Sequence, residues 1–400
     1  MSFIGEYGYL VVLVLLLAGI LYRLLWSPAS AKDKYEAPWQ SQPELCLSRL
    51  RVDLHAEGIH HQSLYCDFPD IWKDAMKSYG MAMKKAGVEQ VYFVNGTYAG
   101  FDPIDLINLA KNLFPRLPER FIAKVQAMNV AGLNRIVKDT GNFLDRYVDL
   151  FSESVDLKKC DNFKWSSANH HAARVEGAIQ LLASLGEKVR KKEISSEARI
   201  LFVGHSHAGQ VFSLITQILY DPDSSKLKEI IYDNFMDKSL FDAVLRKTKD
   251  LRFDFVTLGM PPRYKFIENI NVRLMHIINH RGKAHRAGSL KGIFHTRDGD
   301  YVQQLGIRGT DNAAFVPKLR VANQKLNAIL DGGVNMKRWV ADIKLRNRVP
   351  RYGWSFLIDY KDQSIARPNL FKTIFGHGTY TETRFMEFNT RVIVKHFYQS

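Results

Sequence analysis

The chain has 400 residues, a hydrophobic fraction of 46% and a formal net charge of +15. This length accommodates one large α/β domain with insertions or two smaller domains, and the apolar fraction excludes a largely disordered chain. The sequence contains neither an aromatic-interleaved RNA-binding pattern nor zinc-finger spacing. We therefore expect no nucleic-acid partner, and the positive charge favours a basic face against an anionic membrane.

The first predicted element is a transmembrane anchor over residues 1–27. Residues 7–22 are apolar throughout, and the apolar stretch continues past Arg23 to Trp26. This reaches the roughly 20 residues that cross a bilayer, provided that Arg23 lies near the interface. Positive residues follow the stretch and none precedes it, so the positive-inside rule places the body of the protein in the cytoplasm.

The alternative to the anchor is a cleaved signal peptide, because Ala29-Ser30-Ala31 resembles a cleavage site. Against it, the segment before the apolar stretch carries Glu6 and no positive residue. The three cysteines, Cys46, Cys66 and Cys160, are an odd number without framework spacing, which is typical of reduced thiols and agrees with a cytoplasmic body.

Beyond the anchor, residues 28–60 are polar and predict a linker, and residues 61–400 form the body. The body alternates apolar strand-like runs with helix-like periodic segments, which predicts a mostly parallel sheet covered by helices. A mainly helical insertion is expected over residues 102–160, either as a packing subdomain or as a lid. The predicted strands cover residues 91–94, 163–165, 200–203, 253–258, 272–278 and 356–358.

The most informative segment is ARILFVGHSHAGQVFSL, residues 198–214. An apolar run enters a Gly-x-Ser-x-Ala-Gly turn and passes directly into an amphipathic helical pattern. This is the strand–turn–helix context of a nucleophile elbow, in which small residues let strand and helix approach closely while the serine hydroxyl is exposed. Ser206 is therefore the candidate nucleophile.

A serine nucleophile needs an imidazole to take its proton and a carboxylate to orient that imidazole. His377 is the candidate base, because it follows the last predicted strand in the glycine-flanked turn Phe375-Gly376-His377-Gly378. The segment directly after residues 272–278 contains no carboxylate. Asp300 is our candidate acid, with Asp298 and Asp311 as alternatives.

The predicted oxyanion hole consists of two backbone N–H donors, one from His207 and one from Thr97 in the turn after residues 91–94. The other histidines are not expected to bind a metal, because they lack supporting ligands at metal-site spacing. They are His170, His171, His205, His280 and His285.

These motifs together resemble the lipase and esterase side of the α/β-hydrolase superfamily, over roughly Val91 to His377. The resemblance is carried by Val-Asn-Gly-Thr, by Gly-His-Ser-His-Ala-Gly-Gln, by Thr257–Pro262 and by the late Gly-His. It implies a central, mostly parallel sheet and hydrolysis of an acyl ester. The chain departs from the family at Asn95, where histidine is common, and in the displaced acid.

The sequence thus predicts a membrane-anchored serine hydrolase that cleaves carboxylic, lipid-type esters without a metal or organic cofactor. The alternative is a catalytically silent hydrolase-fold module that serves as a membrane-tethered binding or assembly protein. The oligomeric state, the substrate's chain and head group, and acyl transfer to an acceptor other than water remain open.

The anchor yields a direct test. Deletion of residues 1–31 should release a soluble protein that still hydrolyses a short water-soluble ester, because all candidate catalytic residues lie beyond Asn95. The truncated protein should be slower on esters embedded in vesicles, since the tether raises the local concentration. Detection of a mature N-terminus at Lys32 would instead identify an exported protein with a cleaved signal.

Overall fold

The computed structural model describes part of the chain, and both the predicted anchor at residues 1–27 and Asp298 lie outside that part. No helix among the described residues is long and apolar enough to cross a membrane. The described residues are 47–52, 69–97, 102, 118–120, 122–124, 126–127, 140–280, 299–307, 310–314, 316–330, 350, 352–360 and 375–399.

Seven strands form one sheet, and every neighbouring pair in it is parallel. The predicted parallel α/β class is therefore confirmed. The sheet order is β1-β7-β6-β5-β4-β2-β3, and the strands are β1 Leu47–Val52, β2 Val88–Val94, β3 Cys160–Phe163, β4 Arg199–His205, β5 Arg252–Leu258, β6 Val272–Asn279 and β7 Trp354–Tyr360.

Helices cover both faces of the sheet. The bounds of the helices are α1 Pro69–Lys85, α2 Asp145–Val155, α3 His171–Arg190, α4 Ala208–Tyr220, α5 Ser225–Asn234, α6 Lys238–Thr248, α7 Tyr301–Leu305, α8 Pro317–Ile329 and α9 Met386–Phe397. Helices α3 to α6 and α8 pack on one face, and helices α1, α2 and α9 pack on the other.

The two helical layers explain why the strands are continuous apolar runs. Successive side chains of a strand point to opposite faces, so a strand that is covered on both sides is mainly apolar, with exceptions such as the buried Asp254 of β5. In β4, Phe202 packs into the layer of α3 and α4, where its ring lies 5.5 Å from that of Phe212. Its neighbours Leu201 and Val203 pack into the opposite layer.

One segment differs from the expected organisation, and helix α2 lies within the stretch where a helical insertion was expected. Strand β1 lies within residues 28–60, which the sequence assigned to a linker. An edge strand pairs on one side only and need not be buried on both faces, so the polar sequence LSRLRV gave no strong strand signal. Helix α2, within the predicted insertion 102–160, packs on the sheet through Phe151 and Tyr147. Residues 103–117 and 128–139 of that insertion lie outside the described residues.

Because the sheet is parallel, the carboxyl ends of all its strands lie at one edge. The candidate site residues follow these ends: Thr97 after β2, Ser206 after β4, Asp300 after β6 and His377 after β7. Open parallel sheets bind ligands at this edge.

Candidate active site

Ser206 occupies a sharp turn between β4 and α4. Its φ of +56° lies in the left-handed region, which a residue with a Cβ adopts at a cost of about 1–2 kcal/mol. The Ser206 amide donates a 2.8 Å hydrogen bond to the Leu258 carbonyl oxygen at the end of β5, which holds the turn against the sheet. This is the strained strand-to-helix geometry that the sequence predicted for a nucleophile elbow.

The chain returns to the end of β6 before Asp300. His280 and Gly299 form an antiparallel bridge, and the Asp300 amide donates to the Asn279 carbonyl oxygen at 2.9 Å. Asp300 therefore lies beside the last residue of β6 although 20 residues of sequence separate the two. The candidate acid is therefore distant from β6 in sequence but close to it in space.

The structure brings Asp300 and His377 into direct contact. Asp300 Oδ2 accepts a hydrogen bond from His377 Nδ1 at 2.8 Å and a second one from the Tyr380 hydroxyl at 2.8 Å. Asp300 Oδ1 accepts from the Gln303 amide at 2.8 Å. The carboxylate is fully buried, and these donors compensate for the water that it loses on burial.

The turn that carries His377 is held by hydrogen bonds from neighbouring segments. The Phe375 carbonyl oxygen accepts from the Tyr301 amide at 3.0 Å, and the Gly376 carbonyl oxygen accepts from Asn279 Nδ2 at 2.9 Å. The His377 ring is buried, and its Nε2 has no hydrogen-bond partner among the described residues, Ser206 included. An imidazole fixed by a carboxylate at Nδ1 and unpartnered at Nε2 is arranged to take a proton. The hydrogen bond from the serine hydroxyl to Nε2 is often long before a substrate binds.

His205, the residue before Ser206, connects the elbow to the His377 turn. Its Nε2 donates to the His377 carbonyl oxygen at 2.8 Å, and the two ring centroids lie 4.4 Å apart. Burial, together with the neighbouring His377, lowers the pKa of His205 to about 3. His205 is therefore a neutral imidazole that fixes the position of the candidate base.

The turn after β2 approaches the elbow very closely. A Cβ at Gly96 would lie 2.5 Å from Ser206 Cβ and 2.8 Å from the His205 carbonyl oxygen, so only glycine fits there. Asn95 fixes the start of this turn: its Oδ1 accepts from the Phe143 amide at 2.7 Å and its Nδ2 donates to the Phe143 carbonyl oxygen at 3.2 Å. Asn95, a position singled out in the sequence, thus has a structural role here.

Thr97 and His207, the predicted oxyanion donors, contact each other through their side chains. Thr97 Oγ1 lies 2.6 Å from His207 Nδ1, and His207 Nε2 donates to the Gly306 carbonyl oxygen at 3.2 Å. Burial, with the positive charges of Arg174 and Arg263, lowers the pKa of His207 well below its usual range. In the described part of the chain, the backbone amides of Thr97 and His207 donate no hydrogen bond to another backbone group, which is compatible with their predicted role as oxyanion donors.

Asp311, one of the alternative acids, lies in a buried ion cluster instead. It pairs with Arg174 at 2.7 Å and with Arg263 at 2.6 Å. Burial opposes its ionisation, but the two guanidinium groups outweigh burial and hold the pKa of Asp311 well below its usual range. The carboxylate that contacts His377 is Asp300.

Two residues of the site, Tyr380 and Asn279, belong to no motif identified in the sequence. Tyr380 donates to Asp300 and accepts from the Asn279 amide at 2.7 Å. Both depend on the meeting of the β6 end with the segment after β7, which sequence periodicity does not reveal. The described residues contain no group of three or more side chains that could hold a metal ion.

Comparison of the chain with protein-family models, with curated proteins and with solved structures gave no match. The interpretation of the site therefore depends on its geometry.

The site predicts a steric effect at Gly259, the residue after β5. Its φ is +63°, and a Cβ there would lie 2.5 Å from the Tyr380 ring and 2.7 Å from Asp300 Oδ2. Gly259→Ala should lose about 1–2 kcal/mol of unfolding free energy to the left-handed backbone and about 1–3 kcal/mol more to overpacking.

Gly87→Ala is the matched control, because Gly87 has a φ of +82° and open space around its Cβ position. Urea unfolding followed by circular dichroism should give the larger loss for Gly259→Ala. Equal losses in the two variants would show that the region around Asp300 is not tightly packed.

Proposed function

We propose that this protein is a serine hydrolase of the α/β-hydrolase type that cleaves carboxylic esters of lipids. The observation that carries the proposal is the 2.8 Å hydrogen bond between Asp300 and His377, formed where the strained Ser206 turn meets the same edge of a parallel sheet. The chain order serine, acid, histidine is that of this class of enzyme.

In the proposed reaction, Ser206 Oγ attacks the acyl carbonyl carbon while His377 Nε2 takes the hydroxyl proton. The carbonyl oxygen becomes an oxyanion and accepts hydrogen bonds from the amides of Thr97 and His207. Asp300 keeps the His377 proton on Nδ1, so that Nε2 faces the serine, and stabilises the imidazolium that forms.

The tetrahedral intermediate collapses when the bond from the carbonyl carbon to the alcohol oxygen breaks. His377 then donates its Nε2 proton to the leaving alcohol, which leaves an acyl ester on Ser206. A water molecule gives a proton to His377 and attacks this ester, and the carboxylic acid leaves as Ser206 regains its proton. None of these steps requires a metal or an organic cofactor.

The lipid character of the substrate and the location are part of the same proposal. An apolar stretch at residues 7–26 in a chain with a net charge of +15 suits an enzyme that works on an anionic membrane surface. We place the body in the cytoplasm, because the positive residues follow that stretch.

The nucleophile is tested by Ser206→Ala. This variant should lose covalent labelling by a fluorophosphonate probe, and turnover of 4-nitrophenyl butyrate should fall by about 10³-fold or more, since the members of a triad act as a unit. Ser213→Ala is the control, because Ser213 is a buried serine of α4 whose hydroxyl bonds the Lys265 carbonyl oxygen. It should keep both signals.

Undiminished labelling of Ser206→Ala would remove this serine from the mechanism. An unmodified protein that neither labels nor turns over esters would favour the catalytically silent binding or assembly module.

The acid is tested by Asp300→Asn. The amide no longer holds the His377 proton on Nδ1, and kcat/KM for 4-nitrophenyl butyrate should fall by about 10²- to 10⁴-fold. Asp311→Asn should instead lower the unfolding free energy by about 3–5 kcal/mol, because it leaves buried guanidinium groups unpaired, and should reduce turnover per folded molecule far less. The opposite ranking of the two variants in turnover would reassign the acid.

A further inference from the structure

We propose that the side-chain hydrogen bond between Thr97 and His207 sets the distance between the two oxyanion donors, which makes the His207 ring a positioning residue. This inference rests on the proposed function. The two donors belong to different segments, since the Thr97 amide follows β2 and the His207 amide begins the turn into α4. A shared oxyanion site requires that something fixes one segment against the other.

The direction of the bond follows from the acceptor at the other end of the ring. The Gly306 carbonyl oxygen can only accept, so His207 Nε2 carries the proton. In the neutral ring, Nδ1 is then bare and accepts from the Thr97 hydroxyl over 2.6 Å. Burial and the charges of Arg174 and Arg263 keep the ring neutral. The Thr97 hydroxyl therefore donates to His207, which leaves the Thr97 amide as the oxyanion donor of the proposal.

The two ends of the β2 turn are held in different ways. Its start is fixed by the Asn95 side chain on Phe143 and by a 2.7 Å bond from Trp165 Nε1 to the Asn95 carbonyl oxygen. Its end, at Thr97, is held by the His207 ring. Between them, the absence of a Cβ at Gly96 lets the backbone lie directly against Ser206.

The His207 ring is itself held in place. Gly306 follows α7, whose N-terminal cap is Asp300, so the ring connects the segment of the acid to the oxyanion turn. On the C-terminal side of Gly306, Asp311 is tied to α3 through Arg174 and to the segment after β5 through Arg263. Asn169 Nδ2 adds a 2.9 Å bond to the Thr310 carbonyl oxygen. The ring thus contacts a well-anchored carbonyl group.

The test uses the full-length protein and compares Thr97→Val, which removes the hydroxyl at constant shape, with Thr97→Ser, which keeps the hydroxyl. In Thr97→Val, kcat for 4-nitrophenyl butyrate should fall by about 10- to 100-fold with little change in KM, because a misplaced donor weakens the transition state and not the substrate. Thr97→Ser should retain much more activity. The inhibition constant of phenylboronic acid, which forms a tetrahedral adduct on serine, should rise in parallel with the loss of kcat/KM.

A double-mutant cycle isolates the bond. His207→Phe should reduce kcat at least as much as Thr97→Val, because it also removes the bond to Gly306. The double variant should be no worse than His207→Phe, because both changes remove the Thr97–His207 bond. Thr216→Val is the control for loss of a buried threonine hydroxyl that links two segments. Thr216 accepts from the Ile267 amide at 3.0 Å, remote from the oxyanion turn, and its loss should lower stability and leave kcat unchanged.

The outcomes separate the inference from the proposed function. Equal losses in Thr97→Val and Thr97→Ser, a loss confined to KM, or multiplicative losses in the double variant would overturn the inference alone, provided that a fluorophosphonate still labels Ser206. Absence of that labelling in the unmodified protein overturns both. Should Thr97→Val fail to fold by circular dichroism, Thr97→Ala replaces it in the comparison with Thr97→Ser, and the same outcomes decide.

Discussion

The site depends on one buried carboxylate. Asp300 is ionisable, fully buried and surrounded by donors from separate segments: the His377 ring, the Tyr380 hydroxyl and the Gln303 amide. An unpaired charge in this position would cost several kcal/mol, so the segments that follow β6 and β7 must meet for the fold to be stable. The hydrogen bonds that stabilise the buried Asp300 carboxylate also orient the His377 ring. The same contacts therefore serve both the packing and the candidate chemistry.

The parallel sheet makes that meeting possible. The strands β2, β4, β6 and β7 end at one edge, so four segments that are distant in sequence converge there. The tight elbow at Ser206 stores about 1–2 kcal/mol of backbone strain. Interactions on both sides offset it: the Ser206 amide bonds the end of β5, and Phe212 of α4 stacks within the aromatic layer under β4. The strained turn persists because these interactions offset the cost of its backbone conformation.

The sequence predicted the strands that are buried on both faces, since a continuous apolar run is all that such a strand needs. It predicted Ser206 and His377 because glycine-rich turns next to those strands are local signals. It did not predict β1, whose edge position relaxes the apolar requirement, and it named Asp300 as the candidate acid while keeping Asp298 and Asp311 as alternatives. The position of Asp300 beside β6 depends on the His280–Gly299 bridge, whose residues are 19 positions apart in the chain, and no local pattern encodes such a contact. The sequence did not indicate Tyr380 either, because its contact with Asp300 also joins residues that are distant in the chain.

Three histidines lie around Ser206, and their hydrogen bonds assign them different roles. His205 and His207 each donate Nε2–H to a backbone carbonyl oxygen, which fixes their tautomers, and burial keeps both neutral. Among the described residues, neither ring is hydrogen-bonded to a carboxylate. His377 differs in both respects, because Nδ1 is bonded to Asp300 and Nε2 is without a partner among the described residues. A ring that gains a proton in the reaction needs a neighbouring anion and a free nitrogen. Only His377 of the three combines them, so in the proposed mechanism the two flanking histidines hold the candidate base and the Thr97 turn against Ser206.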